Sequence, residues 1–254
     1  MLPRAAERRI FFMKKKAELG MGLFLLLAAV LFAKKGVVLV FGPEQAASAC
    51  IVIDAGHGGD DPGKIGINNA LEKEINLEIA QKLYTTLTDN QIPAVMTRST
   101  DDGLYAESAT NKKVDDMQKR CKIIEDAAPL FTVSIHQNSY PSSEISGAQV
   151  FYYTQSQKGK ILAKCIQAEL IRQLAPANHR QAKANDSYYL LKKTSSPTVI
   201  VECGFLSNPT EADLLCDPDY QDLIVSAIYS GVRAYLDTEY PQASTEELLF
   251  STEN

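Results

Sequence analysis

A chain of 254 residues with 45% hydrophobic and 22% charged side chains has ordinary globular composition, which excludes a disordered or collagen-like chain and allows one large domain or two small ones. The net charge of −5 is unevenly divided: residues 1–35 hold eight Lys or Arg and two acids, while the remainder holds 18 basic and 29 acidic residues. A body that acidic is unsuited to nucleic acid, which needs a basic surface to displace counterions.

Residues 1–42 read as a basic N-terminus followed by a signal peptide or a membrane signal-anchor. The basic stretch ends in Lys14-Lys15-Lys16, and an apolar run follows from Gly20 to Ala33. That run has 14 residues, short of the roughly 20 that span a bilayer. Lys34-Lys35 interrupts it, and Gly36 to Phe41 resumes it. This order predicts export, with the folded part extracytoplasmic and either membrane-anchored or secreted. Ala47-Ser48-Ala49 resembles a small-residue cleavage site, but it abuts the first strand of the folded part, and a retained anchor is the preferred reading. Residues 43–48 make a short linker. One domain is expected over 49–238, and 239–254 form a polar, acidic, flexible tail.

Within the domain, short apolar runs alternate with helical periodicity, the pattern of an α/β fold. Cys50 to Asp54 reads as a buried strand, ended by the glycine-rich loop Gly56 to Gly66. Leu71 to Gln91 is a helix whose Ile75, Ile79, Leu83 and Leu87 share one face. Ala94 to Thr97 is a strand, Asn111 to Ala127 an amphipathic helix, Leu130 to His136 a buried strand and Gly147 to Tyr153 another. Lys160 to Leu174 is a helix and Thr198 to Cys203 an apolar strand. Asn208, Pro209 and Glu211 have the order of an N-cap, a first helical residue and the third position of a capping box. Asp219 to Leu236 is the closing helix. The five cysteines (Cys50, Cys121, Cys165, Cys203, Cys216) lack CxxC spacing and read as small buried hydrophobes.

Two of the three histidines end apolar strands or follow them at once: His57 after Ile51 to Gly56, and His136 after Phe131 to Ile135. In an open α/β sheet, ligands gather outside the carboxyl ends of the strands. Two imidazoles on that edge can share a metal ion, with a third ligand from a nearby helix start. Glu72 is the candidate, and Glu74 and Glu78 are its rivals. Two His and one Glu form a ligand set for catalytic zinc that leaves a coordination position open. Glu202 directly follows three β-branched residues, where an acid is costly unless used or paired. It can serve as general base or form a salt bridge with Lys192 or Arg98. Taken singly, each of these residues also reads as structural, and His179 as a solvated loop residue.

Four segments in order resemble the zinc-dependent N-acetylmuramoyl-L-alanine amidases (the Amidase_3 family). They are Asp54-Ala55-Gly56-His57-Gly58-Gly59, Leu71-Glu72-Lys73-Glu74, Ser134-Ile135-His136-Gln137-Asn138 and Val201-Glu202-Cys203-Gly204-Phe205-Leu206-Ser207-Asn208. The absence of an added wall-binding repeat, with Met96-Thr97-Arg98 and Gly147 to Tyr153, resembles the CwlD-type spore-cortex branch. Ala55 stands where the family commonly has Pro, and Cys203 where it has a small aliphatic. The resemblance implies a single α/β domain with a central, mostly parallel, twisted sheet of about six strands and helices on both faces. It implies one Zn²⁺ on His57, Glu72 and His136, with Glu202 as catalytic acid/base. The reaction implied is cleavage of the amide between N-acetylmuramic acid and L-alanine, the first step toward muramic-δ-lactam in spore-cortex maturation. Peptidoglycan strands and, through the N-terminal segment, the membrane are the expected partners. An activating partner protein is left open. Gly58 and Gly59 N–H groups are candidate oxyanion donors, and Arg98 or Arg120 candidates to pair a substrate carboxylate. The alternatives are a non-catalytic peptidoglycan-binding domain on this fold, or another zinc peptidase acting on wall peptides.

Overall fold

The computed structural model describes residues 49–240. The expected anchor and linker (1–48) lie outside the described residues, as does all but the start of the expected tail. Among the described residues no helix is long and apolar enough to cross a membrane.

Six strands form one sheet in the order β2-β1-β3-β6-β4-β5. They are β1 (Ile51–Ala55), β2 (Ala94–Met96), β3 (Phe131–Asn138), β4 (Gln149–Tyr152), β5 (Lys183–Ala184) and β6 (Thr198–Phe205). The helices are α1 (Glu72–Asp89), α2 (Lys112–Ala127), α3 (Gln157–Leu174), α4 (Tyr189–Lys193), α5 (Pro209–Leu215) and α6 (Pro218–Glu239). β1 runs parallel to β2 and β3, and β3 parallel to β6. β4 runs antiparallel to β6 and carries the two-residue β5 parallel to itself. The sheet is thus mixed but mostly parallel, and its central strands are the near-continuous apolar runs that burial on both faces demands.

Strand pleating divides the core. Ile51, Ile53, Phe131, Val133, Ile135, Val199 and Val201 point to the face covered by α1, α3 and α6. Their neighbours Val52 and Ile200 point the other way, toward α2 and α4. The first face carries most of the apolar burial. The second is thinly covered and holds polar residues, so it is the face with room for a site.

Element ends follow local chemistry. Asn111 and Ser156 cap α2 and α3 by accepting from Val114 and Gly159 N–H. The Ser156 cap starts α3 three residues earlier than periodicity indicates. At α5, Asn208 accepts from Glu211 N–H as expected. The Glu211 carboxylate does not return to Asn208; it accepts from Gly147 and Phe205 N–H, each at 2.8 Å, and ties the approach to β4 to the end of β6. β5 and α4 were not legible because they are two and five residues long, too short for either period to declare itself.

α3 and α6 meet through Gly231, where an added Cβ would lie 2.5 Å from the Ile166 Cα. Alanine favours a helix over glycine by about 1 kcal/mol, but overpacking costs about 1–3 kcal/mol. Because the clash is with backbone, Gly231→Ala is expected at the costly end of that range, lowering stability by up to about 2 kcal/mol, read as a lower urea midpoint with unchanged slope. A rise in the midpoint would show that the two helices yield at this contact.

Candidate metal centre

The carboxyl edge of the sheet assembles the site by register. Asp54 pairs with Ser134 across β1 and β3, and His136 pairs with Glu202 across β3 and β6. Registered partners in parallel strands share a face, so these four side chains line the thinly covered side. There a cavity of about 420 Å³ opens, bordered by His57, Glu72, His136, Glu202 and Tyr188.

His57 enters from the loop after β1. Its φ of 63° is a left-handed conformation, uncommon for a residue with a Cβ and costing about 1 kcal/mol or more. The turn aims Nε2 at Glu72 Oε1, 3.2 Å away, while Nδ1 meets Asp61 Oδ2 at 2.9 Å. His136 Nδ1 lies 3.0 Å from the same Glu72 oxygen. One ligand atom from each of the three side chains lies within 4.8 Å of the others, the spacing of a group that can hold a metal ion. The His136 ring packs so closely on Gly56 that any Cβ there would collide with it.

Glu72, in the first turn of α1, is 2% exposed. Oε1 also accepts from Gln137 N–H, and Oε2 accepts from Lys64 N–H at 2.7 Å. Glu74 and Glu78 are exposed, and Glu78 is taken by Gln221. Burial pushes the Glu72 carboxyl upward, but the two imidazoles more than offset it and hold it well below the usual range. Burial of His57 opposes its protonation, yet Glu72 and Asp61 raise its pKa overall. The pocket therefore attracts positive charge, and two imidazoles converging on one buried carboxylate fit a borderline-soft divalent cation.

Glu202 is 7% exposed. Its Oε1 accepts from the Tyr188 hydroxyl at 3.2 Å, and its Oε2 has no hydrogen-bond partner among the described residues. Among the described residues no ion pair joins Glu202 to Lys192, Arg98 or any other cation, against the salt-bridge alternative. Burial, with the charge of Glu72 adding to it, raises the Glu202 pKa; His136, Tyr188 and His57 oppose this without reversing it. Cys203 points into the opposite core, as strand alternation requires.

The family model described as N-acetylmuramoyl-L-alanine amidase (Amidase_3) matches residues 51–234. The chain belongs to the Amidase_3 family. The germination-specific N-acetylmuramoyl-L-alanine amidase of Bacillus subtilis (strain 168) is 39% identical over 188 residues, 73% of this chain and 78% of that one. The CwlD amidase of Clostridioides difficile, solved in complex with the GerS lipoprotein, superposes with a TM-score of 0.73 at 40% identity over 75% of this chain and all of that one. AmiC2 of Nostoc punctiforme gives 0.65 at 30% identity, over 75% of this chain and 98% of that one.

The structure corrects several expectations for this amidase fold. Arg98 and Arg120 are 4% and 1% exposed, and their guanidinium donors are taken up inside the protein rather than offered to a substrate carboxylate. Arg98 donates to the carbonyls of Ala55, Gly56, Lys73 and Thr100. Arg120 donates to Asp54, Asp116 and the carbonyls of Ala55 and His57. Both clamp the loop that carries His57. The N–H groups of Gly58 and Gly59 donate to the carbonyls of Asp61 and Asp101, so neither is a free oxyanion donor. Of the cysteines, Cys50 and Cys203 are buried but Cys216 is exposed. His179 is exposed in its loop, as expected.

Sequence reasoning missed the supporting residues Asp54, Asp61 and Asn76. Asn76 donates to Gly56 O and to Glu72. Asp54 was within reach of the argument used for Glu202, since it too follows three β-branched residues inside a strand. Asp61 and Asn76 sit in a loop and on a helix face without any such signal. Burial pushes the Asp54 carboxyl up, but Arg120, Ser134, His136 and Thr97 hold it down at about 2. A lowered folded-state value stabilises the fold above the unfolded pKa near 4, and the benefit is lost as pH falls toward 2. Asp54→Asn leaves Arg120 partly uncompensated and is expected to cost about 3 kcal/mol at pH 7. Chemical denaturation across pH 2–7 should show the wild-type advantage over Asp54→Asn shrinking below pH 4. An advantage constant over that range would mean that the carboxylate charge does not act as described.

Proposed function

We propose that this chain hydrolyses the amide between N-acetylmuramic acid and L-alanine of the peptidoglycan stem, with one zinc ion held by His57, Glu72 and His136 and with Glu202 as general base and acid. The observation that carries the reading is the pairing of His136 with Glu202 across β3 and β6, with the second Glu202 oxygen left unpartnered beside the three candidate ligands.

Zinc there would supply Lewis acidity, polarising the scissile carbonyl and lowering the pKa of water toward about 7. The chain's own residues do the rest. Asp61 holds Nδ1 of His57 and so directs Nε2 inward. Glu202, its pKa raised by burial, takes the proton from the attacking water and delivers it to the leaving alanine nitrogen, which departs as a free amine. A buried carboxylate with one open oxygen suits a group that must accept a proton and then release it.

The germination-specific relative and the CwlD amidase solved with a lipoprotein support a place in spore-cortex maturation for this chain. There the products would be a muramic carboxyl group that can close to a lactam and a free stem peptide. We extend this to residues 1–42 as an extracytoplasmic signal-anchor or signal peptide, to 49–238 as the catalytic domain and to a membrane lipoprotein as a partner.

Glu202→Gln is expected to keep zinc at one ion per chain and to retain the thermal midpoint, while turnover on purified peptidoglycan falls by about three orders of magnitude. Wild-type turnover would remove Glu202 from the role of base. His136→Ala is expected to lose zinc on dialysis, read by elemental analysis, and full zinc retention would break the ligand assignment. Mass spectrometry of the digest should show peptides beginning with free L-alanine. Cleavage elsewhere in the stem would identify a peptidase instead.

A further inference from the structure

We propose that Tyr188 is a positioning residue that restrains one oxygen of Glu202, so that the other is the oxygen that exchanges the proton. The inference rests on the reading of Glu202 as base. Among the described residues the Tyr188 hydroxyl is the sole hydrogen-bond donor to that carboxylate, reaching Oε1 at 3.2 Å. Gln149, the registered partner of Glu202 on β4, spends its amide nitrogen on Gln181 O at 3.0 Å and does not substitute. Rotation about the last bond of a glutamate is broad and soft, so a buried carboxylate with no donor would swing freely within its cavity.

The phenol is built as a rigid strut. Tyr188 is the residue that leads into α4, and its backbone N–H donates to Asn185 Oδ1 at 3.0 Å. Its ring stands edge-on to Phe151 of β4, with centroids 5.5 Å apart and planes at 83°. Phe151 packs with Leu191 and with Ile200, two residues before Glu202 on β6. The ring is therefore seated on β4 and, through Phe151, on β6, the strand that carries the base. Burial and the charge of Glu202 raise the Tyr188 pKa, so it remains a donor across the working range.

The sequence offered no route to this residue, since Tyr188-Tyr189 lies between the helix ending at Leu174 and the strand beginning at Thr198, a stretch to which the sequence pattern assigns no element. The hydroxyl shares the cavity with the three candidate metal ligands but hydrogen-bonds only to Glu202, so its loss is expected to leave zinc content intact.

Steady-state kinetics of Tyr188→Phe on purified peptidoglycan, with the zinc-loaded protein, tests the proposal. Turnover is expected to fall roughly tenfold with KM within twofold, while zinc content and thermal midpoint match the wild type. In the Glu202→Gln background the same change is expected to leave the residual rate unaltered, because there is no base left to orient. Phe151→Leu, which keeps the hydroxyl but loosens the ring, should give a smaller loss in turnover. Unchanged turnover, a loss confined to KM, or an equal further loss in the Glu202→Gln background would each overturn the assignment. The Glu202→Gln variant alone decides whether the base itself is correctly named, so the two failures are separable.

Discussion

A carboxylate at 2% exposure cannot remain charged unless the protein surrounds it with donors and positive charge, and Glu72 is where this chain meets that demand. Two imidazoles, two backbone N–H groups and the Asn76 amide converge on its two oxygens. These donors come from the loop after β1, from α1 and from the carboxyl end of β3, so the charge on one side chain draws three separate segments to one point. Remove it, and His57 and His136 lose the shared acceptor that fixes their spacing.

A second buried charge holds the first in place. Asp54 and Arg120 form a buried ion pair at the floor of the pocket, and Arg120 reaches past its carboxylate partner to the Ala55 and His57 carbonyls. Arg98 takes the carbonyls of Ala55 and Gly56 from the other side. The left-handed backbone at His57 is a local cost, and these guanidinium contacts offset it by satisfying the carbonyls that the turn leaves exposed inside the protein. The two arginines therefore act on the site through backbone rather than through substrate.

The sheet separates stability from chemistry. The face under α1, α3 and α6 is apolar and closely packed, to the point that Gly231 cannot gain a methyl group without a collision. The opposite face, under α2 and the short α4, carries Asp54, His136 and Glu202 with their polar partners. Cys203 and Glu202 are neighbours in sequence yet belong to different halves of this division. An apolar change on the first face would alter how long the fold lasts, whereas a change on the second would alter what it does.

The sequence by itself determined the strands other than the two-residue β5, most plainly where Ile51-Val52-Ile53 and Val199-Ile200-Val201 are β-branched runs that local propensity and burial read alike. It also determined the α1 stripe, the Asn208 cap and the polar strand ends at His57, His136 and Glu202, each a local pattern. Only the tertiary structure decided that β4 runs antiparallel, that Glu72 rather than Glu74 or Glu78 lies between the imidazoles, and that Arg98 and Arg120 are buried with their donors spent on the protein. It alone placed Tyr188 against Glu202 and occupied the Gly58 and Gly59 N–H groups. The physical reason is the same in each case: periodicity and propensity act over a few neighbouring residues, while which buried donor meets which buried acceptor depends on segments tens of residues apart arriving at one sheet edge.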